Sequence, residues 1–192
     1  MKDTRLVELQ NKLRLYPARQ SERDGGKEAA VAVLLRPREQ LELLLIKRAV
    51  HEKDPWSGHV ALPGGRRDAN DVDLIQTAIR ETFEEVQIEV DREISFIGAL
   101  DEVAPRTPRL PPLIIAPFVF GVPEHTEAVA APSEVETAVW VPVSAFRDEG
   151  AASEILIELE GGSRSFPSLK YGDYVIWGLT HRILLQFLDM AV

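Results

Sequence analysis

The chain has 192 residues, 45% of them hydrophobic, enough to bury one core of ordinary size but short for two. Its 31 Asp plus Glu against 22 Lys plus Arg give a formal net charge of -9. That balance argues against a polyanion-binding surface, which needs clustered basic residues, so DNA, RNA and acidic lipid are not expected partners. Having no cysteine excludes disulfides, thiolate zinc sites and a cysteine nucleophile. No stretch reaches the roughly 20 apolar residues that span a bilayer, so no membrane partner is expected and the cytoplasm is the default location.

In chain order, Leu6, Leu9 and Leu13 recur at helical spacing and predict a short amphipathic helix over about 3–14, ending before Pro17. The polar, Gly-containing residues 20–27 predict a loop. Two β-rich runs, "AAVAVLLR" and "LELLLIKR", are separated by "PREQ" as in a hairpin. A non-strand passage over 49–58 leads into "HVALPGG", followed by a helical pattern over about 71–86. Further strand-like runs are "ISFIGALDE", "LIIAPFVFGV" and "TAVWVPV", with the Pro-rich "APRTPRLPP" between the first two. The final "YVIWGLTHRILLQFLDM" reads as a strand or turn running into an amphipathic helix. Strands and helices mix without regular alternation, so the predicted class is an α+β layered domain.

In the helix over 72–86, Val72, Ile75, Ile79, Phe83 and Val86 fall on one side at spacings of three and four, predicting a core stripe. Glu81, Glu84 and Glu85 share a sector on the opposite side. Like charges so close destabilise a helix, the more so near its C-terminal end, where the macrodipole disfavours anions. Rigidly clustered oxygen ligands suit Mg²⁺ or Mn²⁺, which would relieve that repulsion. A solvated acidic face is the ordinary reading of an isolated Glu pair. Here, however, Pro63, Gly64 and Gly65 stand upstream and allow the close backbone approach that a phosphate or metal site needs.

Taken together, "GGRRDANDVDLIQTAIRETFEEVQI" resembles the signature of Nudix hydrolases, with Gly65, Arg80, Glu81, Glu84 and Glu85 at signature positions. Asp71 stands where the signature usually has Glu, one extra residue separates it from Arg80, and Gln87 replaces the usual late glycine. The insertion, together with Asp68, Asp71 and the run Thr77, Ala78, Ile79, Arg80 and Glu81, is similar to the coenzyme A pyrophosphatase branch. So are Leu44, Leu45, Arg48, Gly58, Val60 and Leu62 in the upstream block. Asp54 departs from that block by replacing its usual arginine.

The resemblance implies a Nudix fold over 1–192: an α/β/α sandwich with a mixed β-sheet and a catalytic loop-helix-loop at about 63–88. It implies metal-dependent hydrolysis of a phosphoanhydride bond, first of coenzyme A to 4'-phosphopantetheine and adenosine 3',5'-bisphosphate. ADP-ribose, NADH and dinucleoside polyphosphates are the alternative substrates, and a non-catalytic nucleotide sensor is the alternative from another class. Glu81, Glu84, Glu85 and a carbonyl at Gly65 are the implied metal ligands, with Arg80 orienting a carboxylate. The base is either a signature glutamate or one from a later loop, where Glu134 aligns better than Glu136. Gly64, Gly65 and Arg48 are candidate substrate contacts, Arg48 either holding phosphate or pairing with an acidic residue. His51 and His59 read as loop or surface residues, Trp56 as a stacking or core residue, and Trp140 and Trp177 as core. Arg106 and Arg109 sit in a loop that either gates substrate or is simply Pro-rich surface. The expected partner is a small nucleotide, and by analogy a homodimer.

Overall fold

The computed structural model describes residues 3–22, 25–50, 57–105, 112–159 and 162–191. The opening helix α1 (Thr4–Leu15) starts where the Asp3 carboxylate accepts the Arg5 amide at 2.9 Å, and it buries Leu9 and Leu13 as their spacing foretold. Strands β1 (Lys27–Pro37) and β2 (Leu41–Arg48) form the expected hairpin, with Leu35 opposite Leu43 and Pro37 opposite Leu41.

The two strands pair only near that turn and then fork. Strand β3 (Val60–Ala61) takes the freed edge of β2, with Ile46 opposite Ala61. Strand β4 (Gly64–Arg66) takes the freed edge of β1, with Val31 opposite Gly64. The segment expected to be a glycine turn is therefore a plug in the mouth of a split sheet.

Helix α2 (Leu74–Val86) follows, then the single turn α3 (Arg92–Ser95) and β5 (Phe96–Ala99). Strand β6 (Leu113–Gly121) pairs β5 on one edge and runs parallel to β1 on the other. Strand β7 (Val135–Pro142) lines the far edge of β2. The first sheet thus has seven strands and mixed direction. A short 3-10 turn at Val143–Arg147 leads to a second sheet of β8 (Ala152–Leu159), β9 (Gly162–Tyr171) and β10 (Tyr174–Trp177), and the chain ends in α4 (Gly178–Met190).

Alternation along β1 and β2 decides what lies on each face. Val33, Leu35, Leu43 and Leu45 join Leu9 and Leu13 of α1, Leu184 and Phe187 of α4, and Ile176 of the second sheet in one core. Ala30, Ala32, Leu34, Leu44 and Ile46 meet Ala78 and Val86 of α2 in another. This is the helix, mixed sheet, helix layering expected of the α+β class.

The stripe expected on α2 needs correction. Val72 precedes the helix and is 76% exposed, and Phe83 is 52% exposed. The buried residues are Thr77, Ala78, Thr82, Glu85 and Val86. Relative to the large apolar residues, the buried face is turned by about 100°, the angle between successive positions on a helix. The cause is the facing strand: Ala30 and Ala32 are completely buried, so the small side chains of Ala78 and Thr82 let the helix lie close to β1. That rotation carries Glu85 inward.

Two tryptophans expected in the core are only half-buried. Trp140 carries the Arg36 guanidinium 4.4 Å over its ring, and Trp177 meets His59. The β8–β9 pairing was not foreseen, although Ile155, Ile157 and Leu159 recur at every second position ahead of a Gly-Gly pair. No helix among the described residues is long and apolar enough to cross a membrane.

Candidate active site

The plug in the sheet fork requires its glycines for different reasons. Gly64 adopts a φ of +152°, and a Cβ there would lie 2.6 Å from the Cα of Val31 on the neighbouring strand. At Gly65 a Cβ would lie 2.5 Å from both carboxylate oxygens of Glu81. Gly64 therefore lets β4 pack into the fork, and Gly65 lets the backbone approach Glu81.

Helix α2 presents its acids to this turn at graded depth. Glu85 is 1% exposed, and its carboxylate accepts the Gly64 N–H at 2.8 Å. Burial pushes its carboxyl up to about 8, only partly countered by that amide. Glu81 is half-buried, and desolvation raises its carboxyl too, tempered by Arg80. Glu84 stands in solvent.

Arg80 ties the acids together. Its Nε and Nη2 each donate to one oxygen of Asp71 at 3.0 Å, while Nη1 reaches Glu81 at 2.9 Å and Glu84 at 2.7 Å. Nη2 also donates to the carbonyl of Arg66, at 3.1 Å, which fixes the helix to the end of β4. Asp71 is itself buried and accepts the Asp68 amide and the Thr77 hydroxyl, each at 2.9 Å. The Arg80 guanidinium holds its carboxyl well below the usual carboxylate range. Asp71 stands in the motif in the sequence reading, which gives it no role of its own. Its signal was an acid nine positions before Arg80, close enough across a helix start to orient that side chain.

The C-terminal end of α2 is stitched to the loop before β7. The amides of Val129 and Ala131 donate to the carbonyls of Val86 and Glu85, each at 2.9 Å, partners that a helix end otherwise lacks. The same loop carries Glu134, an exposed residue whose charge pushes both Glu81 and Glu85 upward. Glu136, two residues on, instead pairs with Lys47 at 2.7 Å. Arg48, the last residue of β2, comes within 3.8 Å of Glu85, the acidic pairing that was one of its two expected roles. Gln87, where the sequence departs from the usual glycine, takes the left-handed conformation with φ of 55° and donates to the carbonyl of Phe83.

The donors around Glu81 and Glu85 are oxygens alone, in a partly dry niche beside a backbone turn, which is the chemistry Mg²⁺ or Mn²⁺ prefers. Mutual repulsion between the buried Glu85 and the half-buried Glu81 is what a cation there would remove. Among the described residues no three acidic or histidine side chains stand close enough as they are to hold an ion, because Glu81 and Glu84 are turned onto Arg80. Three of the singled-out residues, His51, Asp54 and Trp56, and the pair Arg106 and Arg109 lie outside the described residues.

The family model described as the NUDIX domain matches residues 26–158, which takes in the plug, α2 and the Glu134 loop. The chain belongs to the Nudix family. A Salmonella typhimurium protein, the Nudix hydrolase NudL, is 31% identical over 172 residues, covering 90% of this chain and 86% of that one. A Schizosaccharomyces pombe protein, C14C4.10c, is 44% identical over 105 residues, but the match spans 53% of this chain and only 32% of the yeast protein. Among solved structures, a MutT/nudix family protein from Enterococcus faecalis superposes with a TM-score of 0.60 at 19% identity, covering 96% of this chain and 68% of that one. The Nudix domain of Shewanella oneidensis NrtR, solved with ADP ribose, gives a TM-score of 0.51 at 21% identity, covering 75% and 85%. In this Nudix chain, α2 with its flanking loops is the family's loop-helix-loop, and the fork in the sheet is what seats it.

Proposed function

We propose that this Nudix hydrolase cleaves coenzyme A, adding water across its diphosphate to give 4'-phosphopantetheine and adenosine 3',5'-bisphosphate. The observation that carries the hydrolytic part is the contact of the Gly64–Gly65 backbone with the half-buried Glu81 and the buried Glu85, whose carboxylates repel one another. The coenzyme A part rests on the upstream pattern of Leu44, Leu45, Arg48, Gly58, Val60 and Leu62 and on the Thr77–Glu81 run.

Glu81, Glu85 and, after leaving Arg80, Glu84 would hold Mg²⁺ or Mn²⁺ with the carbonyl of Gly65. The bound ion supplies neutralisation of the charge on the diphosphate oxygens. Arg80, anchored by two parallel bonds to Asp71, keeps the Glu81 and Glu84 carboxylates in place between turnovers. Arg48 lies beside Glu85 at the mouth of the site and offers a guanidinium to a substrate phosphate. Glu134 is the general base in this reading, supported by its exposed carboxylate and by the effect of its charge on Glu81 and Glu85.

The test is product analysis with coenzyme A, ADP-ribose, NADH and diadenosine polyphosphates, each with Mg²⁺, with Mn²⁺ and with a chelator. Coenzyme A cleaved fastest, and only with metal, is the expected result. If another diphosphate is cleaved faster, the hydrolase stands and the coenzyme A assignment falls. No cleavage of any of them would replace the enzyme with a nucleotide sensor.

A further inference from the structure

The end of β2 separates two different surroundings. Arg48 reaches toward Glu85 on the α2 side, while Lys47 borders a cavity of about 280 Å³ between the seven-stranded sheet and the β8–β10 sheet. Its lining combines the rings of His59, Tyr174 and Trp177 with the charged groups of Lys47, Glu136 and Asp173. The rings are buttressed: His59 meets Trp177 edge to face at 5.1 Å, and Phe166 packs against Trp177 at 5.7 Å. Lys47 is held by Glu136 at 2.7 Å. The backbone joins this wall to the carboxylate site, since the amide of Arg48 donates to the carbonyl of His59 at 3.0 Å and that of Gly58 to the carbonyl of Arg48 at 3.1 Å.

We infer that this cavity is the base subsite of the enzyme, taking the adenine ring of the nucleotide whose diphosphate is cut beside Glu81 and Glu85. The inference rests on the hydrolase reading above but not on coenzyme A being the substrate. A purine offers a π-face to Trp177, and the indole, already fixed by two neighbouring rings, loses little freedom on stacking. The exocyclic amine donates two hydrogens, and the carboxylates of Glu136 and Asp173 accept them. Those same carboxylates repel phosphate, so the base enters this cavity and the phosphates remain on the Arg48 side. The second sheet, which lies entirely beyond the loop-helix-loop in sequence, thereby acquires a role as the wall that recognises the base.

Adenosine 5'-monophosphate is the probe, with ribose 5-phosphate as its base-free control, each titrated by calorimetry into wild type, Trp177→Leu and Trp177→Phe. Wild type binds the nucleotide in preference to the sugar phosphate, Trp177→Leu weakens the nucleotide about tenfold, and Trp177→Phe restores most of the loss. For adenine diphosphate substrates, KM rises by a similar factor in Trp177→Leu while kcat holds. His59→Ala repeats the test should Trp177→Leu fail to fold by circular dichroism. Unchanged nucleotide affinity in a folded Trp177→Leu, or ribose 5-phosphate binding as tightly as the nucleotide, overturns the subsite. Binding is measured without turnover, so loss of the subsite and loss of the hydrolase reading give separate signatures.

Discussion

Adjacent glycines in the plug should respond to the same substitution in opposite ways. In Gly65→Ala the new methyl meets the carboxylate of Glu81, its oxygens 2.5 Å away, at the movable end of a side chain. The carboxylate swings aside by about 1 Å, and a misplacement of that size costs about 100-fold in turnover. Stability changes by less than about 1 kcal/mol, because the backbone is unstrained and alanine restricts the unfolded chain. In Gly64→Ala the methyl meets the backbone of β1, 2.6 Å from the Cα of Val31, at a φ of +152° that alanine resists. Neither the strand nor the dihedral can yield cheaply, and the loss is about 3 kcal/mol or more. Urea unfolding of both variants, with initial rates of diphosphate cleavage under saturating metal, separates the two effects. A fully active Gly65→Ala would mean that Glu81 does not work where the structure puts it. A Gly64→Ala as stable as wild type would refute the forked-sheet packing.

Four further substitutions test neighbouring parts of the site. Glu85→Gln should abolish turnover and leave unfolding within about 1 kcal/mol, since the amide oxygen still accepts the Gly64 N–H that the carboxylate held. Asp71→Asn should cost about 2 kcal/mol by removing the buried anion that pairs with the Arg80 guanidinium. Its folded carboxyl lies below the unfolded value near 4, so wild type carries this stability above about pH 4 and loses it as pH falls further. Urea midpoints between pH 7 and pH 2.5 should therefore fall less steeply in the variant. Glu134→Gln should lower kcat about 100-fold with stability unchanged, as expected for removal of an exposed general base; an unaltered kcat assigns the proton to a glutamate of α2. Gln87→Gly should raise stability by about 0.5 kcal/mol in thermal melts, because glycine adopts the left-handed conformation at φ 55° without the clash of a Cβ.

Elements whose function is packing were legible in the sequence. Leu9 and Leu13 gave α1 away by spacing alone, and the "PREQ" turn between apolar runs gave the β1–β2 hairpin. The phase of α2 was misread because the helix packs through Ala78 and Thr82, which carry little hydrophobic signal, while Phe83 stays exposed. Periodicity therefore points to the large residues and puts Glu85 opposite the core stripe, whereas close approach to Ala30 and Ala32 turns it inward. The fork between β1 and β2 left no local trace, since it arises from pairings among four separated segments. At the site, the residue types were readable but their depth was not. The sequence makes Arg80 an orienting residue, yet it leaves the main partner, Asp71, as a motif position without a role. The second sheet was missed although Gly161 and Gly162 follow an alternating run.

The most direct test of the central claim is chromatography of coenzyme A after incubation with wild type and with Glu85→Gln, each with Mg²⁺ or Mn²⁺ and with excess chelator. Adenosine 3',5'-bisphosphate and 4'-phosphopantetheine should appear in equal amounts only with wild type and metal. Equal release of both products by Glu85→Gln, or by wild type in chelator, would contradict a reaction carried out at the buried glutamates of α2.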